Sequence, residues 1–249
     1  MCSSDLREAT EEGGARAWSL GASPAGAAGA TVSVEKIGRD RLRLVSTAYG
    51  VRTEAEVILA DHEPLAIWRV RLTNLEARAR RLELTSYREW IINDHALAVR
   101  HPAYNRLHVG TTFVGALGAV LAVNRVLVNG ARRPGRHLSH LTAFHAAAGA
   151  SDGVRLVGYE DSRPGFLGRG TLAAPDALGL PLRPVEDEGR AYTFDPLASL
   201  RFELDLPAGG SVEAVFLDGC APDELTAARR IAAVLHLPLP GEADRKSVV

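Results

Sequence analysis

Apolar and polar residues alternate strictly along much of this chain, and a period of two suits β-strands and little else. Leu200, Phe202, Leu204 and Leu206 alternate with Arg201, Glu203 and Asp205. Val51, Thr53, Ala55, Val57 and Leu59 face one way, and Arg52, Glu54 and Glu56 the other. Leu42 and Leu44 alternate with Arg41 and Arg43, Trp68, Val70 and Leu72 with Arg69 and Arg71, and Leu82, Leu84 and Ser86 follow. Turn residues at Asp61-His62-Glu63-Pro64 and from Asn74 to Ala77 join four of these runs, which predicts an antiparallel meander. Pro207-Ala208-Gly209-Gly210, followed by Val212, Ala214 and Phe216, predicts a β-hairpin. A helix then follows. Pro222 suits its first turn, Asp223 and Glu224 complement its positive end, and Leu225, Ala228, Ala232 and Leu235 share a face. Residues 7–31, rich in Ala, Gly, Glu and Ser with Trp18 as one large apolar side chain, read as an irregular lead-in. The fold class is mainly β: two antiparallel sheets packed face to face, with a C-terminal helix.

Composition narrows the function. With 46% hydrophobic and 24% charged residues the chain is ordinary for a globular domain, and 249 residues suit one large sandwich. A net charge of −1 offers no electrostatic reason to expect nucleic acid or an anionic membrane as partner. Two cysteines, Cys2 and Cys220, cannot make a disulfide framework. The most apolar window, 113–123, is too short to span a bilayer. The two ends read as foreign. Cys2-Ser3-Ser4-Asp5 and Asp244-Arg245-Lys246-Ser247 are both translations of a common sequencing-adaptor string, one of them of its reverse complement. Residues 1–6 and 242–249 are therefore expected to be translated adaptor on a truncated gene, leaving 7–241 as the domain.

Three stretches carry a family resemblance: "RVRLTNLEARARRLELTSYREWIINDHA" from Arg69, "HPAYNRLHVGTTF" from His101, and "YEDSRPGFLGRGTLAAPDAL" from Tyr159 followed by "FDPLASLRFELDLPAGGSVEAVFLDGCAPDELTAAR" from Phe194. In this order they resemble the sandwich domain of glycoside hydrolase family 94, formerly glycosyltransferase family 36, and within it the cyclic β-1,2-glucan synthases. Glu160-Asp161-Ser162-Arg163 departs from the family's usual Glu-Thr-Asp-Arg. The resemblance implies a supersandwich of the galactose-mutarotase type that packs on a helical (α/α)6 barrel absent from this chain. In such enzymes the barrel holds the catalytic aspartate, and inorganic phosphate is a co-substrate of an inverting reaction on a β-glucan oligosaccharide. It implies no catalytic residue and no cofactor within this chain. It also implies a place on the cytoplasmic side, with a parent that is a soluble phosphorylase or an inner-membrane synthase.

Candidate site residues follow from sugar and anion chemistry. Pyranose C–H faces stack on aromatic rings, which singles out Tyr87, Trp90 and Tyr104, each equally readable as sandwich core. By family analogy Arg163, just before the glycine-rich "GFLGRG", and Arg169, within it, either pair with carboxylates or line a substrate cleft. That loop lacks the Gly-Lys-Ser/Thr ending of a phosphate loop, so its glycines are expected to serve a tight backbone path. Glu89 and Asp94 form a possible carboxylate pair. His137, His140 and His145 have too few partners nearby for a tetrahedral metal site and read as solvated or hydrogen-bonded. Two other functions stay open: an aldose epimerase, for which His101 and Glu160 are the forced acid and base, and a free-standing carbohydrate-binding module.

Overall fold

A computed structural model describes residues 2–10, 13–92, 99–124, 141–191 and 193–235. The elements run β1 (Cys2–Ala9), β2 (Ala15–Ser19), β3 (Thr31–Ile37), β4 (Arg41–Ala48), β5 (Val51–Leu59), β6 (Leu65–Asn74), β7 (Arg80–Glu89), α1 (Pro102–Leu107), β8 (Val109–Val114), β9 (Ala119–Asn124), β10 (Thr142–Ala150) and β11 (Val154–Ser162). They continue with α2 (Arg163–Leu167), β12 (Arg183–Pro184), β13 (Gly189–Ala191), β14 (Pro196–Leu206), β15 (Ser211–Ala221) and α3 (Glu224–Leu235). Two antiparallel sheets result: a six-stranded one ordered β12-β11-β14-β7-β1-β2 and a nine-stranded one ordered β13-β8-β9-β10-β15-β6-β5-β4-β3.

The alternation explains the core. Leu82 and Leu84 of β7 and Leu200, Phe202, Leu204 and Leu206 of β14 face Val70 and Leu72 of β6 and Val212, Ala214 and Phe216 of β15, all buried. Phe202 and Phe216 meet edge-to-face across the gap, with centroids 5.3 Å apart. Two smaller cores cover the outer faces. α3 lays Ala227 and Ile231 on Phe144 and Leu217 of the larger sheet. The segment after β11 lays Phe166 and Ala177 on Tyr87 and Leu197 of the smaller one.

The structure differs from the sequence reading in two connections, in the lead-in and in the helix. The 200–216 segment is not a hairpin: β14 pairs with β11 and β7, whereas β15 pairs with β10 and β6. The Pro207–Gly210 turn arches from one sheet to the other. The 74–80 turn does the same, so β4, β5 and β6 form a meander but β7 leaves it. A hairpin and an arch demand the same alternation, because in both the apolar faces of the two strands point at one core. The lead-in 7–31 read as irregular contains the end of β1 and all of β2, with Trp18 buried. Residues 2–6, set apart as foreign, supply the first part of β1, while 242–249 lie outside the described residues. β1 was illegible because one of its inward positions is Glu8, whose charge is met by Arg80 across the sheet. Finally, α3 begins after Pro222. Asp223 caps it, accepting the Thr226 N–H at 2.7 Å, and its buried face is Ala227 and Ile231, not Leu225, which is exposed.

Candidate functional site

Antiparallel topology sorts the connections to two ends. At one lie the short turns 49–50, 75–79 and 207–210. At the other lie the long connections 90–108 and 163–195 and the start of α3. The sequence-predicted residues fall at this loop end.

Tyr87 and Glu89 point to the outer face of the smaller sheet. Tyr87 is fully buried, its ring 4.9 Å from that of Phe166 in α2. Its hydroxyl donates to Glu89 Oε1 in a short hydrogen bond. Arg163 Nε donates to the Tyr87 oxygen and to Glu89 Oε1, both at 3.2 Å, and its Nη1 approaches Asp195 Oδ2 at 3.5 Å. Arg106 of α1 donates to the same Asp195 oxygen at 2.9 Å. Burial pushes the Glu89 carboxyl up, but the Tyr87 hydroxyl and the nearby arginine outweigh it and hold it below its ordinary value. Burial and the Glu89 charge push the Tyr87 phenol up. This network ties both long connections to the edge of one strand.

A second group sits beside it. Asp161, fully buried, accepts from Thr111 Oγ1 at 2.8 Å and from Arg183 Nη2. Glu160 accepts the N–H groups of Asp161 and Ser162 at 3.1 and 2.9 Å and lies 3.4 Å from Arg183. Burial raises the Glu160 carboxyl despite Arg183. Tyr159 stacks on Phe113 with centroids 3.9 Å apart. Both groups engage their carboxylates with arginines or backbone amides.

The remaining candidates separate. Trp90 follows β7, half-buried between the main core and the Ile92–Val109 cluster. Tyr104 is exposed and meets His108 edge-on. Arg169 is exposed, and its backbone N–H donates to Asp176 at 2.9 Å. The glycine-rich loop follows the tight path expected of it: Gly168 has φ +57°, and a side chain at Gly170 would strike the Ala174 carbonyl. His101 is exposed at the start of α1. Asp94, His137 and His140 lie outside the described residues. Among the described residues, no group of three or more His, Cys, Asp or Glu could hold a metal ion.

Of the histidines read as solvated or hydrogen-bonded, His145 is hydrogen-bonded, in a network that the sequence did not announce. His145, fully buried on β10, lies 2.7 Å from Ser86 Oγ of the opposite sheet and 2.7 Å from Asp218 Oδ1 of β15. Arg88 Nε donates to the other Asp218 oxygen at 2.8 Å. Burial pushes the Asp218 carboxyl up, yet His145 and Arg88 outweigh it and hold it down at about 2. Ionised Asp218 can only accept, so His145 Nδ1 carries a proton and Nε2 takes the Ser86 hydroxyl. The atom order is that of a hydrolase triad, but Ser86 has no exposure and its oxygen accepts the Leu200 N–H at 3.0 Å. It is a brace between sheets. No local motif announces it, because its members are 59 and 73 residues apart.

Around the loop end stand six exposed large apolar side chains: Ile91 (70%), Val99, Tyr104, Leu107, Leu180 and Phe194 (79%). Two facing antiparallel sheets of six and nine strands, closed by a C-terminal helix, define a supersandwich domain. The chain belongs to the glycosyl hydrolase 94 supersandwich domain family, whose model matches residues 10–236. It is 29% identical over 222 residues to the cyclic beta-(1,2)-glucan synthase NdvB of Rhizobium meliloti (strain 1021), an overlap of 88% of this chain and 7% of that protein. Among solved structures, the polysaccharide lyase BACCELL_00875 aligns over 94% of this chain and 27% of its own, with TM-score 0.51 at 11% identity, which shows a shared fold. The heparan sulfate lyase HepC of Pedobacter heparinus overlaps 77% of this chain and 21% of its own, with TM-score 0.39 and 11% identity. No described helix is long and apolar enough to cross a membrane.

Proposed function

We propose that this domain is the supporting, non-catalytic sandwich of a β-1,2-glucan-active glycosyltransferase or inverting glycoside phosphorylase. Its loop end seats against an (α/α)6 barrel of the same polypeptide, and that barrel supplies the catalytic acid and holds inorganic phosphate on the cytoplasmic side. The supporting observation is the pairing of occupied carboxylates with exposed apolar surface. Glu89, Asp195, Glu160 and Asp161 are engaged by arginines or backbone amides, while Ile91 and Phe194 stand open beside them. Glycoside cleavage needs a carboxylic acid free to protonate the leaving oxygen, which such pairs do not provide. Contiguous exposed apolar side chains are instead the mark of a docking surface. Arg163 holds the two long connections in place, and exposed Arg169 is the side chain that reaches the rim of the cleft where an oligosaccharide enters.

The test is Phe194→Asp in the full-length polypeptide, with Arg169→Ala beside it. The first should lower phosphorolysis of linear β-1,2-glucan at least about tenfold by unseating the barrel, the equivalent of about 1.4 kcal/mol. The second should raise KM with little change in kcat. Kinetic constants unchanged in both variants would refute the reading.

A further inference from the structure

Arg201 lies on β14 between the inward-facing Leu200 and Phe202, so its side chain leaves the outer face of the smaller sheet, where the residue is only 5% exposed. A buried guanidinium is costly unless its donors are met. Glu83 approaches Nη1 only to 3.8 Å, and the same carboxylate oxygen already accepts from Arg7 at 3.2 Å. The hydrogen bonds of Arg201 go elsewhere. Nε donates to Thr85 Oγ1 at 3.1 Å, Nη1 to the Leu180 carbonyl at 3.0 Å and Nη2 to the Ala177 carbonyl. Burial pulls the guanidinium below its ordinary range, with Glu83 opposing. The backbone it holds is the hub of the connection after α2. Asp176, one residue earlier, accepts the N–H groups of Gly179 and Leu180 on its carbonyl at 2.9 and 3.1 Å, and the Arg169 N–H on its side chain at 2.9 Å. The returning chain lies directly on the sheet: Gly158 of β11 stands opposite Arg201, and a Cβ there would come within 3.0 Å of the Arg183 carbonyl. A run of contacts thus leads from Arg201 through Ala177 and Asp176 to the backbone of exposed Arg169, and directly to Leu180, which is 58% exposed.

We propose that Arg201 is a positioning residue: from the sheet face beneath the connection it fixes the backbone of Arg169 and Leu180, and so sets how Arg169 is presented to an oligosaccharide. The proposal rests on the reading of Arg169 as a rim residue of the cleft. Arg201 itself touches no sugar. Its planar fork suits the task, because the two carbonyls it holds are three residues apart around the 3-10 turn Asp176–Leu178. A lysine ammonium is a point charge on a flexible stem and does not reproduce that fork.

Two measurements separate this proposal from the reading it rests on. In this chain alone, the Arg169, Gly179 and Leu180 amides should exchange hydrogen at least about tenfold faster in Arg201→Met and Arg201→Lys than in the parent, with the amides of β5 and β6 unchanged. Arg201→Lys keeps the positive charge, so it carries the test where Arg201→Met does not fold. In the full-length polypeptide, Arg201→Lys should raise KM for linear β-1,2-glucan with kcat nearly constant. Adding it to Arg169→Ala should move KM by less than about twofold further, because both substitutions act through one side chain. Parent exchange rates at 169, 179 and 180 in a folded variant, or KM effects that multiply in the double variant, would overturn the proposal. An unchanged KM in Arg169→Ala alone would overturn the rim reading itself, and the exchange rates would still decide whether Arg201 holds the segment.

Discussion

At the turn end of the sandwich, buried polar side chains staple the arches; at the loop end, arginines hold the connections and most of the exposed large apolar side chains stand there. Asn74 illustrates the first. Its amide donates to the carbonyls of Arg78 at 2.7 Å and Pro207 at 3.0 Å, while its Oδ1 accepts the Glu76 N–H at 3.0 Å, so one side chain staples two arches. Arg80 adds a fork onto Glu8 at 2.6 and 2.7 Å, and its third contact is the carbonyl of Tyr49, a residue with φ +49° in the β4–β5 turn. The turn end spends its polar contacts on joining strands, although Leu75 and Tyr49 are exposed there. The loop end ties Arg163 and Arg106 to Glu89 and Asp195 and presents Phe194 and Ile91 outward, as the proposed docking on a second domain requires.

That contrast breaks first at Arg80. Arg80→Ala leaves the buried Glu8 carboxylate with Arg16 as its remaining partner, and should cost about 1–3 kcal/mol in denaturant unfolding. Replacing both Arg80 and Glu8 by Met should recover most of it, since the penalty is an uncompensated buried charge. Asn74→Ala, which orphans carbonyls in two turns at once, should cost about 1–3 kcal/mol.

The inter-sheet brace comes next, and acid is its probe. Burial holds the folded His145 imidazole below its ordinary value of 6.5, with Asp218 opposing. Unfolded His145 takes a proton that the folded residue refuses, so stability should fall as pH drops below about 6.5. Asp218, held at about 2 when folded against 3.8 ordinarily, adds a second loss below about pH 4, where the unfolded carboxylate is protonated first. Melting temperature against pH should show the first decline in the parent chain and lose it in His145→Gln. The smallest effects belong to the loop end: Phe194→Ala and Ile91→Ala should change stability by no more than about 0.5 kcal/mol, because neither side chain is buried.

The sequence carried the strands and concealed how they connect. Inward residues of β5, β6, β14 and β15 were legible because alternation reports burial directly. The arches at 74–80 and 207–210 were not, since the turn residues that end a hairpin also end an arch, and only pairing partners distant in sequence distinguish them. β1 was hidden by Glu8 and β2 by its Ala-rich composition. At the site, Arg163 and Tyr87 were singled out and do converge, but as a packed ion-pair network on the outer face of a sheet. The Ser86–His145–Asp218–Arg88 chain joins three strands from both sheets and has no signature within any short window.

The most direct measurement is catalysis by this chain alone: glucose mutarotation, and release of glucose 1-phosphate from linear β-1,2-glucan with inorganic phosphate. At the loop end the fold engages Glu89, Glu160, Asp161 and Asp195 with arginines or backbone amides and holds His145 between the sheets, so neither rate should exceed the protein-free control. Turnover above that control that disappears in Glu160→Gln would mean that this sandwich performs chemistry of its own.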